Sequence, residues 1–287
     1  GYLPPYKTFC ARFEKPIVQD EDANAVRRLN QFTGPFILRR MKSEVLRELP
    51  PKTENVRRVE LETEQRKLYL AAVVDAREKL RAAKPEDKMT VFAVLMRLRE
   101  ICCDPRLVAD NWTGSSAKLE ACLELVTEAV AGGHRILLFS QFTSMLELLA
   151  KRLDEAGVSH FTLQGSTPKP VRAEQVRRFN QGEADVFLIS LRAGGTGLNL
   201  TAADIVIHYD PWWNLAAQNQ ATDRAYRIGQ RNPVQVYRLI AQDTIEEKIV
   251  ELQQAKQSLA DTVTGGADGA ILSMNPEQLL QLLGEEA

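Results

Sequence analysis

Apolar residues recur at helical spacing in two stretches of the first hundred or so positions. Tyr69, Ala72, Val73, Ala76 and Leu80 form one stripe, and Val91, Val94, Leu95, Leu98, Ile101 and Cys102 form another. Pro85 separates the two. Pro105 ends the second, because proline lacks a backbone N–H and clashes with the preceding turn. The spacing predicts two long helices, a hairpin that braces or projects from a neighbouring domain. Beyond the loop Asn111-Trp112-Thr113-Gly114-Ser115-Ser116 the period changes. Ser115 or Ser116 is expected to cap a helix carrying Leu119, Cys122, Leu123, Val126 and Val130. Short apolar runs then alternate with amphipathic stretches. The runs are Ile136–Phe139, Val158–Leu163, Val186–Ile189, Ile205–Ile207 and Val234–Ile240. Between them, helices are expected at Met145–Leu153, closed by Gly157, from about Pro170 to Asn180, and from about Ala216 to Ile228. A last helix carries Ile245, Ile249, Leu252 and Leu259.

Continuous apolar strands joined by helices describe an α/β fold, a doubly wound parallel sheet covered on both faces. Ligands of such sheets sit at the carboxyl ends of the strands. The loops of interest are therefore Ser140–Thr143, Gly165–Thr167, Arg192–Asn199 and Asp210–Asn214. The change of pattern near Asn111 predicts that the helical hairpin shares little core with residues 115–263.

Composition narrows the class. The 287 residues are 44% hydrophobic and 26% charged, enough apolar mass for a globular core. No apolar run reaches the roughly 18 residues of a membrane helix. The opening Gly1-Tyr2-Leu3-Pro4-Pro5 has neither the basic nor the apolar region of a signal peptide and lacks an initiating Met. A fragment of a longer protein, or a processed chain, is the expectation. None of the four cysteines (10, 102, 103, 122) forms a Cys-x-x-Cys pair, so packed, reduced thiols in a cytoplasmic setting are expected rather than zinc ligands. Net charge is −1, so an anionic partner must be met by a local patch.

Two segments carry candidate chemistry. Arg192-Ala193-Gly194-Gly195-Thr196-Gly197-Leu198-Asn199 follows a strand, and successive glycines let backbone N–H groups approach an anion. It is neither a Rossmann fingerprint nor a Walker A loop; no Gly-Lys pair occurs in the chain. A tight turn explains it as well as an anion site does. The second segment, Gln220-Ala221-Thr222-Asp223-Arg224-Ala225-Tyr226-Arg227-Ile228-Gly229-Gln230, is sharper. On a helix, Gln220, Asp223, Arg224 and Arg227 share one face, expected near the carboxyl edge of the sheet. Two guanidiniums with their planar donor forks suit a polyphosphate. A plain surface ion pair would use the same spacing.

These segments resemble the C-terminal half of the motor of Swi/Snf-type ATPases, the chromatin-remodeller branch of the superfamily-two helicases. The likeness runs collinearly over roughly residues 6 to 262. It includes Asp223–Gln230, Arg192–Asp204, Asp210-Pro211-Trp212-Trp213-Asn214, Phe139–Thr143, Thr244–Ile249, and Pro35–Lys42 with Leu49-Pro50. Tyr226 stands where the family usually has His, and Leu215 where it usually has Pro. The family's Walker A loop and Asp-Glu-x-His motif have no counterpart here, and Asp20-Glu21-Asp22 reads as a solvated loop.

The resemblance implies a RecA-like second lobe at residues 115–263, with a brace helix at 244–263. It implies a helical protrusion at 35–114, the tail of a first lobe at 1–34, and a C-terminal tail at 264–287. It implies that ATP and Mg²⁺ are held mainly by the absent first lobe while Arg224 and Arg227 act as arginine fingers. Gln220, Asp223, Gly195 and Gly197 would contact nucleotide or position the fingers. Ser140, Gln141, Thr143, Gly165, Ser166, Arg192 and Thr196 would meet phosphates of double-stranded DNA without reading bases. Trp212 and Trp213 are expected to pack rather than stack on bases. The implied partners are duplex DNA, the first lobe, and a DNA-bound protein substrate. The location would be the nucleoid, or the nucleus in a eukaryote. The rival readings are a strand-separating helicase lobe and a non-catalytic binding module. A triplex-displacement assay beside a helicase assay separates the first. A Gly-Lys-Thr upstream in the parent gene excludes the second.

Overall fold

The computed structural model describes residues 4–18, 22–36, 49–191, 193, 197–262 and 274–284, with backbone alone at 18 and 255–262. The chain divides into two compact units, 1–48 with 254–267, and 49–253 with 268–287.

In the first unit, α1 (Tyr6–Phe9) runs through a π-helical turn, Cys10–Glu14, into α2 (Lys15–Val18). It is followed by α3 (Ala23–Thr33). The Asp22 carboxylate accepts from Asn24 N at 2.8 Å and caps α3, which gives the acidic loop a structural use. Phe13 is buried, with its ring 5.4 Å from that of Phe9 and 6.2 Å from that of Phe32.

The second unit is built on six parallel strands in the order β1-β6-β5-β2-β4-β3. They are β1 (Lys52–Val59), β2 (Ile136–Ser140), β3 (His160–Leu163), β4 (Val186–Ser190), β5 (Ile205–His208) and β6 (Val234–Ala241). The helices are α4 (Thr63–Ala82), α5 (Lys88–Cys103), α6 (Ala117–Ala131), α7 (Thr143–Glu155), α8 (Lys169–Asn180), α9 (Leu215–Thr222), α10 (Ile245–Thr262) and α11 (Pro276–Leu282). Strand residues alternate between the faces. Ile136, Leu138, Leu188 and Ile207 pack with Leu119, Cys122 and Val126 of α6 and Met145, Leu146 and Leu149 of α7. Leu137, Phe139, Phe187 and Val206 pack with Phe179 of α8 and Ala221 of α9. Full burial of each such Leu or Ile contributes roughly 1.5–3 kcal/mol. This is the doubly wound parallel sheet that the apolar runs predict, as the resemblance to a RecA-like lobe also implies.

Four expectations need correction. First, the segment 35–114 is not purely helical: β1 lies inside it and pairs along its length with β6, from Lys52 opposite Val234 to Val59 opposite Ala241. Second, the hairpin α4–α5 shares its core with the sheet unit. Tyr69, Leu80, Leu95, Leu98 and Ile101 cluster with Ala241 at the end of β6 and with Ile245 and Ile249 of α10. Cys103 belongs to the sheet's own core. Third, Ser116 sits at the N-cap of α6 without a capping bond. Its hydroxyl instead donates to the Cys103 carbonyl at 3.0 Å, tying α6 to the end of α5. Fourth, residues 276–282, expected as tail, form α11, whose Asn275–Gln278 capping box starts a helix that buries Leu279 in the hairpin cluster. Cys102, Cys103 and Cys122 are free and buried, and burial pushes the Cys102 and Cys122 thiols up to about 12.

Candidate functional site

The candidate side chains fall at opposite edges of the sheet. At the carboxyl edge, β2 ends at Ser140, β4 at Ser190 and β5 at His208. Chain direction reverses about β2: the connection onward from β2 leads to β3 and β4 on one side, and β5 and β6 lie on the other. This is the switch point where such sheets form a crevice. Asp210 sits there, fully buried. Its Oδ1 accepts from Ser140 Oγ at 2.6 Å and Gln141 N at 3.2 Å, and its Oδ2 faces Arg99 Nη2 at 3.3 Å. Burial raises the Asp210 pKa, opposed chiefly by Arg99.

Ser140 must therefore be removed from the phosphate-contacting set. It has no exposed surface, and its hydroxyl proton is committed to Asp210. Gln141 is half-buried, and its Nε2 is itself buried with no hydrogen-bond acceptor among the described residues. Thr143 begins α7 and is exposed. Gly165 and Ser166 are exposed in the turn after β3, which Thr167 closes by accepting from Gln164 N at 3.0 Å. A Cβ added at Gly165 would meet nothing within 4 Å, so this glycine leaves room for a neighbour. Arg192, Gly194, Gly195 and Thr196 lie outside the described residues; Gly197 is exposed.

Trp213 packs as expected. Trp213 lies under the Arg99 guanidinium, 4.0 Å from ring centroid to Cζ, and against the hairpin cluster. The Trp212 carbonyl accepts from Gln253 of α10.

The arginine segment is neither helical throughout nor at the carboxyl edge. α9 ends at Thr222, and residues 223–229 form tight turns through Arg224 N to Ala221 O (3.1 Å), Arg227 N to Ala225 O (3.0 Å) and Gln230 N to Arg227 O (2.9 Å). Gly229, at φ 103°, supplies the left-handed backbone that the last turn needs. α9 runs back from the carboxyl edge, so its end reaches the amino end of β5. Leu200 N donates to Arg224 O at 3.0 Å, and Gln230 Nε2 donates to Ala203 O at 2.7 Å, both just before β5 begins. The shared helix face thus gives way to a clamped loop. Arg224 is 5% exposed, Asp223 is half-buried, and Gln220 and Arg227 are exposed. Burial first, then the Arg227 cation, lowers the Arg224 pKa, with Asp223 opposing. Two cations held this way gain from a bound anion. Among the described residues no group of three or more His, Cys, Asp or Glu could hold a metal ion. The two guanidiniums suit an anion.

One segment joins the edges. Leu191 N donates to Ser140 O at 3.0 Å, beside the end of β4. Asn180 of α8 donates to Asn199 O (2.8 Å) and accepts from Ala202 N (3.3 Å). Leu200 and Ala203 then hold the arginine loop.

Gln230 and Arg99 escaped the sequence reading. The Gln230 carboxamide also donates to Ala225 O (3.2 Å) and accepts from Arg231 N (2.8 Å) and Asn232 N (2.9 Å). Arg99 had a signal: it follows Leu95 by four positions, a cation on an apolar stripe, which demands a buried partner.

A profile of the helicase conserved C-terminal domain matches residues 117–229, and one of the SNF2-related domain matches residues 2–107. A putative ATP-dependent helicase/translocase of Bacillus subtilis is 38% identical over 98% of this chain and 32% of its own length. The chain spans between 27% and 32% of the curated bacterial relatives it matches. The SWI2/SNF2 ATPase core of Sulfolobus solfataricus in complex with dsDNA superimposes with TM-score 0.69 at 30% identity, covering 100% of this chain and 62% of that one. The C-terminal domain of a Sulfolobus solfataricus SWI2/SNF2 ATPase gives TM-score 0.67 at 27% identity, covering 82% of this chain and all of that one.

Proposed function

The chain belongs to the SNF2-related, Swi/Snf-type family of ATP-dependent helicases, and from that membership we propose that it is the second lobe of a duplex-DNA translocase. In this reading Arg224 and Arg227 reach into a nucleotide site completed by a first lobe. The observation that carries it is the clamped pair of arginines, one nearly buried beside the other, at the amino edge of the sheet. Charge develops on the equatorial oxygens of a transferring phosphoryl group, and a fixed guanidinium neutralises it without reorganising. Asp223 orients the pair and Gln220 faces the nucleotide. ATP with Mg²⁺ supplies the phosphoryl chemistry, and the metal ligands come from the first lobe.

At the carboxyl edge, the exposed Thr143, Gly165 and Ser166 present hydroxyl and backbone donors suited to phosphate oxygens and to no particular base, and Gln141 would join them once its buried amide turns outward. Leu191, beside the end of β4, and Asn199 to Ala203, beside the arginine loop, belong to the stretch that would link nucleotide state to the grip on DNA. The Sulfolobus relative solved with dsDNA supports the choice of duplex. The object moved would be a protein bound on that duplex.

The test is steady-state ATPase activity with saturating duplex DNA, on this 287-residue chain, the intact motor and its Arg227→Ala variant. The chain alone is expected to be inactive, because a finger works only on nucleotide bound by another site. Arg227→Ala is expected to lower kcat by at least ~10³ with DNA affinity almost unchanged. Turnover by the chain alone, or a loss of only a few-fold in the variant, refutes the assignment.

A further inference from the structure

Arg99 is the largest fully buried side chain among the described residues, and its polar partners lie more than a hundred positions away in sequence. It projects from the last turns of α5. Its Nη2 donates to Asp210 Oδ2 at 3.3 Å and to the Pro211 carbonyl. Its guanidinium lies 4.0 Å from the Trp213 ring centroid and 5.7 Å from that of Phe142. The other oxygen of Asp210 holds Ser140 Oγ and Gln141 N, and Ser140 Oγ accepts from Phe142 N at 3.2 Å. A single ion pair thus ties three separate segments: the helical hairpin, the turn after β2 and the loop after β5.

We propose that Arg99 is a positioning residue for the carboxyl-edge face: acting from the hairpin through Asp210, it holds the loop after β5 against the turn after β2, the turn that offers Gln141 and Thr143 to DNA. The proposal rests on the duplex-binding reading above.

Stability alone is a poor reason for this arrangement. A buried ion pair is often no better than an apolar pair of similar volume, because desolvation offsets the attraction. Here the offset is worse, since Arg99 Nε and Nη1 have no acceptor among the described residues. A methionine would fill the slot against Trp213 and Phe142. What it cannot do is hold a carboxylate in one orientation. Asp210 belongs to the loop after β5 and accepts from the turn after β2, so its direction decides where the Gln141 backbone sits. The stacked, planar guanidinium allows little rotation, which lysine lacks the geometry to reproduce.

The same linkage makes the hairpin a lever. A displacement of α5 along its axis would pull on Asp210 and on the Pro211 carbonyl, and through them on both loops. A ligand or partner seated on the hairpin would then alter the grip on DNA without touching it.

The experiment uses this 287-residue chain with Arg99→Met, Arg99→Lys and Asp210→Asn, each under conditions where its denaturation curve shows a folded baseline. Amide hydrogen exchange is read at residues 141–142 and 212–213, with the central strands β4 and β5 as internal reference. Loss of a charge-assisted bond predicts exchange about 10- to 100-fold faster at those loop amides in Arg99→Met, with the strand amides unchanged. Arg99→Lys is expected to recover only part, and Asp210→Asn to behave like Arg99→Met. Fluorescence anisotropy with a mixed-sequence duplex is expected to show affinity weakened roughly three- to tenfold in Arg99→Met, from misplacement of a few phosphate contacts. Unchanged loop exchange in folded Arg99→Met overturns the positioning role whatever the DNA result. Faster loop exchange with no duplex binding by the unaltered chain overturns the DNA reading and leaves the positioning role standing. Should Arg99→Met not fold, Asp210→Asn and Arg99→Lys decide by the same two readouts.

Discussion

Replacing Gln230 with glutamate tests whether one carboxamide holds the arginine loop. The substitution keeps shape and keeps an oxygen for Arg231 N and Asn232 N. It removes the two donors that face Ala203 O at 2.7 Å and Ala225 O at 3.2 Å. Gln230 is 6% exposed and Ala203 and Ala225 are fully buried, so water cannot replace what is lost. Two net hydrogen bonds are worth about 1–3 kcal/mol, and a carboxylate set against two carbonyls adds to that, giving roughly 2–4 kcal/mol at pH 8. Burial and the facing carbonyls both raise the folded-state pKa of the new carboxyl above its unfolded value. Its neutral form, present below the folded pKa, can donate to Ala203 O. The deficit should therefore be full at pH 8 and shrink as pH falls toward the carboxyl range. The assay is urea denaturation followed by tryptophan fluorescence. All three tryptophans (112, 212, 213) lie in the 49–253 unit, so the signal reports the unit in question. Gln230→Leu, which cannot ionise, serves as the pH-flat control. A glutamate deficit below about 1 kcal/mol at pH 8, or one that does not change with pH, refutes the clamp.

Two further outcomes follow from buried charge. His208 is fully buried against Phe139, with Nε2 2.9 Å from Thr222 Oγ1, and burial, then Arg238, pushes its pKa down to about 3. The folded state then refuses a proton that the unfolded state accepts below about pH 6.5, so stability should fall by ~1 kcal/mol per pH unit from there downward. The slope should flatten in His208→Gln; a parallel pH dependence in the two proteins counts against it. Lys118 and Glu246 pair with no exposed surface, Glu246 also accepting from Ala241 N at 2.8 Å. Lys118→Met should cost ~3–5 kcal/mol in urea denaturation, and the double variant Lys118→Met/Glu246→Leu should recover much of it, because the orphaned charge is the penalty. Equal stability of the single variant and the parent would be inconsistent with a buried pair.

The sequence alone determined the sheet class and most of its strands. β2, β4 and β5 are buried on both faces, so each had to be written as an unbroken apolar run, and such runs are legible without coordinates. β1 was illegible for the converse reason. As an edge strand its Lys52-Thr53-Glu54-Asn55-Val56-Arg57-Arg58-Val59 is mostly exposed and carries charge rather than alternation, with Arg58 paired to Glu247 and Glu54 to Arg238. The arginines were recognisable by spacing, but helical geometry could not place them, since α9 stops at Thr222 and hydrogen bonds from Leu200 and to Ala203 set the turn. Ser140 reads as a loop hydroxyl and is a buried donor, because Asp210, seventy residues away, claims it. Periodicity reports which residues leave water. Which buried polar groups find one another across 70 or 111 positions is decided only when the chain closes on itself, and in this chain those pairings (Ser140 and Arg99 with Asp210) set the geometry of the candidate site.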